Sequence, residues 1–171
     1  MANVLLVGSE DTKWKAGSSS DKFRLSRYQA VKSGTAKTLK HYTALGQGYC
    51  KLALYADSSG SPGALLAATA PINANAFETW FEASIYDVSI VSGRYYWIAW
   101  ITNYGSVVAM NSGVGTNLTK DQAYSGFSYP NPAGSGFSSL AYQGIVACMG
   151  EESAGGTAIP ILMQQYRRRV I

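Results

Sequence analysis

The chain is expected to be all-β, a two-sheet antiparallel β-sandwich with extended N- and C-terminal arms. Three observations carry that expectation. Charged residues make up only 14% of the chain, while Gly numbers 18 and Tyr 12, a balance that suits turn-rich strands better than helices. Lys51 to Ala70 reads strand, turn, strand: an alternating β-forming run, the turn residues of Asp57 to Gly63, and a second apolar run. Tyr95 to Ile101 is apolar or aromatic throughout and carries no charge, the mark of a buried strand. No well-capped amphipathic stretch of helical length interrupts Lys22 to Gly150. A chain of 171 residues is long enough for one domain with a real core.

Taken in order, Ala2 to Val7 is an apolar arm or first strand, and Gly8 to Asp21 is a polar, Ser-rich connection, so residues 1–21 stand apart from a sandwich spanning 22–150. Lys22 to Val31 and Thr35 to Leu45 alternate, and Lys32-Ser33-Gly34 between them reads as a hairpin turn. The pair Gly48 to Ala56 and Ala64 to Ala70 follows. Phe77 to Val88 alternates loosely, with Phe77, Thr79, Phe81, Ala83 and Ile85 on one side and Glu78, Trp80, Glu82 and Tyr86 on the other. Arg94 to Thr102 and Ser106 to Met110 read as another pair around Asn103-Tyr104-Gly105. Asn111 to Ser138 is a long segment of Gly, Ser, Asn and Pro, and Tyr142 to Met149 closes the sandwich. About eight core strands at this spacing fit two packed sheets.

Within this pattern Leu54, Tyr55, Asp57, Gly60, Pro62, Gly63, Leu65 and Leu66 form a strand ending in LYAD, a G-x-P-G loop and a short apolar strand. Gly93, Tyr96, Trp97 and Ala99 mark a later strand. This set resembles jelly-roll domains similar to carbohydrate-binding modules, which occur in extracellular, cell-surface and bacteriophage virion proteins. The likeness covers about Lys22 to Gly150 and implies a jelly-roll-like sandwich. One sandwich hosts many functions, so activity has to be argued from sites.

The long loop is where a ligand site is expected. Aromatic rings on polar loops stack on the apolar faces of sugars, while amide side chains satisfy hydroxyls. Tyr124, Phe127 and Tyr129, with Asn111 and Asn117, are the candidate glycan platform, and Trp80 is a second candidate. The competing reading is that these rings cover the core under a long loop or fill a contact between subunits. Asp57 in its turn invites calcium, as in some related modules, but no cluster of the D-x-D type accompanies it, and no metal or cofactor is expected.

Catalysis has little support, and no catalytic residue is expected. His41 is the only histidine and reads as a surface or hydrogen-bonded strand residue, with no nucleophile motif beside it. Glu78 and Glu82 read as solvent-facing charges rather than a glycosidase pair. Cys50 and Cys148 each lie in an expected strand and read as buried core thiols, with a single disulfide as the alternative. Asn117-Leu118-Thr119 is a glycosylation sequon.

Charge is uneven along the chain. Residues 1–51 hold nine Lys or Arg against three acids, net +6; residues 52–166 hold two against seven, net −5; Arg167, Arg168 and Arg169 add +3. Such asymmetry favours docking between subunits. Nucleic acid is disfavoured as a partner, because the positive residues are spread along strands rather than interleaved with exposed aromatics. The first fifteen residues lack the basic start and cleavage site of a secretory signal. No uncharged apolar run approaches the roughly 18 residues of a membrane span, so no membrane partner is expected.

After Met149, GEESAGGTA reads as a flexible hinge, and residues 151–171 as a hinge and assembly tail. Ile159, Ile161, Leu162 and Met163 would be buried anchors, with Tyr166 and Arg167, Arg168 and Arg169 meeting acidic surface, as an added strand or a groove filler. The tail ending also resembles those of some phage virion proteins. The expectation is therefore a non-catalytic virion structural protein made in the host cytoplasm: a capsid decoration, turret or tail component. It would assemble through its arms as a homo-oligomer or with other virion proteins. The alternative is a carbohydrate-binding module that attaches an enzyme or particle to polysaccharide or to a cell-surface glycan.

Overall fold

A computed structural model describes residues 3–13, 16–17, 20–46, 48–103, 106–112 and 116–153. Among these residues there is no helix, and two seven-stranded antiparallel sheets pack on each other as a β-sandwich. The strands are β1 (Asn3–Gly8), β2 (Ala16–Gly17), β3 (Lys22–Gln29), β4 (Gly34–Gly46), β5 (Gly48–Ser58), β6 (Ser61–Ala68), β7 (Ile72–Ala74), β8 (Thr79–Ile90), β9 (Tyr95–Thr102), β10 (Ser106–Ser112), β11 (Asn117–Asp121), β12 (Ser138–Ser139), β13 (Tyr142–Gly144) and β14 (Val146–Glu152).

In the first sheet, β4 is the axis. One edge of β4 pairs with β8 over Gly34 to Thr43; the other is shared by β14, along Gly34 to His41, and β10, along Thr43 to Gly46. β1 covers the far edge of β14, and β10 also carries β13 and β2. The second sheet runs β12-β11-β3-β9-β5-β6, with β7 beside β6 along β5.

The β5–β6 hairpin forms as read. Ser59 and Gly60 both take positive φ, 51° and 86°, the pair of left-handed positions that lets a two-residue turn follow the twist of its strands. The other two expected hairpins do not form. β3 and β4 lie in opposite sheets, and so do β9 and β10. The edges of β3 are already taken by β9 and β11, and those of β4 by β8 and by β14 with β10. The short links therefore cross the roughly 10 Å between sheets instead of reversing within one.

The sandwich is wider than 22–150. Of the two readings of Ala2 to Val7, the first strand is the one observed: β1 pairs with β14 of the same chain. β14 continues to Glu152, and the Ser153 N–H donates to the Ser33 carbonyl at 3.0 Å, so Glu151 and Glu152 belong to the sheet and not to a hinge. Ile159, Ile161, Leu162, Met163, Tyr166, Arg167, Arg168 and Arg169 lie outside the described residues.

Two apolar layers hold the fold. Between the sheets, Leu6, Leu39, Leu52, Leu54, Ile98, Trp100 and Val146 pack as the main core. On the outside of the second sheet, Phe23, Leu25, Tyr55, Trp97 and Ile101 form a second layer under the segment from Tyr124 to Phe137. β9 is thus buried on both faces, which is why its sequence lacks a charge: Ile98 and Trp100 point inward, Trp97 and Ile101 outward. Each such side chain contributes about 1.5–3 kcal/mol of transfer free energy. Cys50 on β5 and Cys148 on β14 are buried free thiols in opposite sheets, as the core-thiol reading expects, and burial raises both, Cys148 to about 12. Among the described residues no helix is long and apolar enough to cross a membrane.

Candidate functional site

The candidate platform residues meet the second sheet rather than solvent. Phe127 is buried and Tyr129 half-buried, and both pack on Phe23 from β3, with ring centroids 5.2 and 5.6 Å away. Phe137 closes on the same ring at 5.4 Å. Successive rings tilt by 55° to 80°, an edge-to-face cluster that fills volume. A sugar-stacking platform needs rings in one exposed plane, which this cluster does not present. The loop is pinned to the sheet by polar contacts at its ends: Tyr129 Oη donates to the Lys51 carbonyl at 2.7 Å, Lys51 Nζ donates to the Phe127 carbonyl at 2.8 Å, and Tyr55 Oη donates to the Pro130 carbonyl at 2.9 Å. Tyr124 lies under the Lys51 ammonium, 4.7 Å from the ring centre, and burial pushes its phenol up to about 12.

Asn117, Asn111 and Trp80 do not join that cluster. Asn117 is 3% exposed on β11, so the sequon amide is closed off in the folded chain. Asn111 sits on β10 in the other sheet and donates from Nδ2 to Asp11 at 3.1 Å. Trp80, on β8, packs edge-on against Tyr42 with Lys40 over its face. The platform of Tyr124, Phe127, Tyr129, Asn111 and Asn117 is therefore not assembled, Trp80 lies apart as the second candidate it was, and the competing reading, rings that cover the core under a long loop, is the one observed.

What touches solvent beside the loop is a shallow groove of about 280 Å³ lined by Lys51, Leu65, Ala68, Thr69, Phe127, Ser128 and Tyr129. It offers ring edges, a methyl-rich wall and hydroxyls, a chemistry fitted to a small amphipathic ligand. A second, more polar groove of about 210 Å³ lies between Lys22, Lys120, Asp121 and Ser138.

Asp57 is a fully engaged carboxylate. It accepts from Arg27 Nε at 2.7 Å and Arg27 Nη2 at 2.9 Å, from Trp97 Nε1 at 2.8 Å, and from the Gly60 N–H at 3.0 Å. The Arg27 guanidinium holds its carboxyl below the usual range, and Arg27 in turn lies 3.9 Å over the Tyr95 ring. Both oxygens are spent on nitrogen donors, so Asp57 is a lock on the β5–β6 turn and not a calcium ligand. Among the described residues no cluster of His, Cys, Asp or Glu is arranged to hold a metal. Sequence reading had no signal for this network, because Arg27 lies 30 positions and Trp97 40 positions from Asp57.

His41 departs from its expected role as a surface or hydrogen-bonded residue. It is fully buried, stacks on Phe81 at 5.9 Å, and neither ring nitrogen has a hydrogen-bond partner among the described residues. Burial lowers its pKa to about 4. Glu78 and Glu82 are exposed, as solvent-facing charges should be.

The charge asymmetry of the sequence is largely resolved inside the chain. Lys22 pairs with Asp121, Arg27 with Asp57, Lys32 with Glu152, Lys37 with Asp87 and Lys40 with Glu10. Five of the nine basic residues of the first third thus meet acids of the same chain. Comparison with protein-family models, with curated proteins and with solved structures finds no match to this chain.

Proposed function

We propose that the chain is a non-catalytic structural protein of a virion, a capsid decoration, turret or tail component, made in the host cytoplasm and assembled with neighbouring copies or other virion proteins through its C-terminal tail. The observation that carries this reading is the use made of the aromatic loop. Residues suited to ligand capture are invested in a second hydrophobic layer that stiffens the sandwich. A body that carries five ion pairs of its own is the expected form of a building block. The jelly-roll likeness of Leu54 to Leu66 and Gly93 to Ala99 agrees with it. Assembly then means burying Ile159, Ile161, Leu162 and Met163 and placing Arg167 to Arg169 against acid.

Light scattering on the full chain and on a chain ending after Ser153 tests the reading. The shortened chain retains every described strand. A defined oligomer that the truncation dissolves supports assembly through the tail; monomers in both samples overturn it. The groove beside Phe127 and Tyr129 favours a second reading, a glycan-binding module. Glycan-array binding that is lost on Lys51→Ala would move that reading ahead.

A further inference from the structure

β1, β6 and β12 are edge strands of six, eight and two residues, and β8 is an edge strand of twelve. Among the described residues its backbone pairs with β4 alone, from Thr79 to Ser84 and from Val88 to Ile90 on either side of a bulge, and β6 and β7 lie beside it without pairing to it. Unpaired backbone groups along such an edge are a template for another strand. Beside it lies a groove of about 320 Å³ lined by Ala68, Ala70, Ser84, Ile85 and Tyr86, with Tyr86 87% exposed. Glu78, Glu82 and Asp87 lie on this strand and its entry, Asp87 bonded to Lys37 and Glu82 opposite Lys40 of β4.

The tail has the complementary pattern. Residues 154–171 carry three arginines and no acid, and in an extended chain Ile159, Ile161 and Met163 share one side while Gln164, Tyr166 and Arg168 share the other. Pro160 lies at the start of that run, where a strand tolerates it. The place of exit matters as well. β14 and β8 are each antiparallel to β4 and so run parallel to each other, ending together at Glu152, Gly34 and Ile90. Ser153 thus lies at this end of the sandwich, its N–H bonded to the Ser33 carbonyl, near the Ser92 turn that bonds to the Ser33 hydroxyl.

We infer that the unpaired edge of β8 receives the tail of a neighbouring copy as an added antiparallel strand. This rests on the reading of residues 159–169 as an assembly tail and names its receptor. With Met163 beside Ile85 at the apolar groove, Gln164 falls beside Ser84 and Arg168 beside Trp80, between Glu78 and Glu82. β-Strand addition supplies main-chain hydrogen bonds for affinity, and the groove and the acids set register.

Full-length Ser84→Cys and Gln164→Cys chains, mixed in equal amounts and oxidised, test the inference; Tyr166→Cys in place of Gln164→Cys covers a two-residue slip. Cys50 and Cys148 are buried and do not compete. The expected result is a disulfide between the two kinds of chain, mapped by mass spectrometry, whose rate of formation falls about tenfold at low salt when Arg167, Arg168 and Arg169 are all changed to Glu. Two results overturn it: cross-links confined to single chains in the Ser84→Cys/Gln164→Cys double variant, or no cross-link in any pair. Light scattering on the same samples separates the two ideas. An oligomer without the cross-link removes β8 as the receptor and leaves assembly standing, whereas monomers throughout remove both.

Discussion

The two flanks of this sandwich are finished in opposite ways. Over the second sheet, the chain folds its own loop back and buries Phe127 and Ala133 on Phe23, Tyr55 and Trp97. Along β8, Phe81, Ala83, Ile85 and Val88 pack on the main core, but Tyr86 is almost wholly exposed. Both segments are aromatic-bearing and turn-flanked in sequence. The difference is that the loop has a broad apolar sheet face to land on, whereas the backbone of β8 is paired along one edge only. Aromatic content therefore marks surface to be covered, and topology decides whether the chain covers it itself.

The sharpest way to break the contrast is to hollow out the covered flank. Phe23 is fully buried at the centre of the ring cluster, so Phe23→Ala removes the surface on which the loop rests. The expected loss is about 4 kcal/mol, transfer plus cavity, measured by urea unfolding. Proteolysis would then cut first between Tyr124 and Phe137. A loss below about 1 kcal/mol would mean that the loop is a mobile cover instead of a second core.

The inner layer gives the next largest effect, through pH. His41 has a pKa of about 4 in the fold against 6.5 when exposed, because burial disfavours its charge, and the buried polar residues around the core include no carboxylate to offset it. Below pH 6.5 the unfolded chain takes up a proton that the folded chain refuses, so stability is full above that pH and falls until about pH 4. The loss is about 3 kcal/mol. Unfolding free energies at pH 7.5 and 4.5, compared with those of His41→Leu, check this: the variant should lose most of the slope in that window.

These cases divide what could be read in advance from what could not. β5, β6 and β9 were legible because their signals are local: a turn of two residues that accept positive φ, and an uncharged run that fits only a doubly buried strand. The pairing of β3 with β9 instead of β4 was not, since alternation fixes which side of a strand is apolar and says nothing of which sheet it joins. β7 and β11 are short and carry polar residues, so no period identifies them. Tyr124, Phe127 and Tyr129 were found as important residues, but their role was undetermined, because a platform and a lid have the same composition. The Asp57 network joins residues from three strands and exists only after folding.

That network offers a smaller test on the covered flank. Asp57→Asn removes the charge that answers Arg27 while keeping the shape, and the expected cost is about 2 kcal/mol at pH 7. The Asp57 carboxyl sits below its ordinary value in the fold, so its contribution is present above the unfolded pKa of roughly 3.9 and is lost as pH falls through the lowered one. The variant should therefore lose stability at neutral pH and show a shallower decline below pH 4, as read by thermal unfolding across that range.

The smallest effect belongs on the β8 flank, and it is the one that separates an unpaired edge from an occupied one. Tyr86 is 87% exposed, so within the described fold its ring contributes almost nothing, and Tyr86→Ser should change the unfolding free energy of a monomeric sample by no more than about 0.5 kcal/mol. The same substitution at a concentration where copies associate has a different expectation. A ring beside the groove of Ala68, Ile85 and Ser84 would be covered by an added strand, and its removal would weaken association while leaving the monomer as it was. Unfolding of the dilute protein and light scattering of the concentrated protein, made on one variant, therefore read the two states of this edge. A stability loss above about 1 kcal/mol in the dilute sample would mean that the chain covers Tyr86 itself, and the two flanks would then be alike.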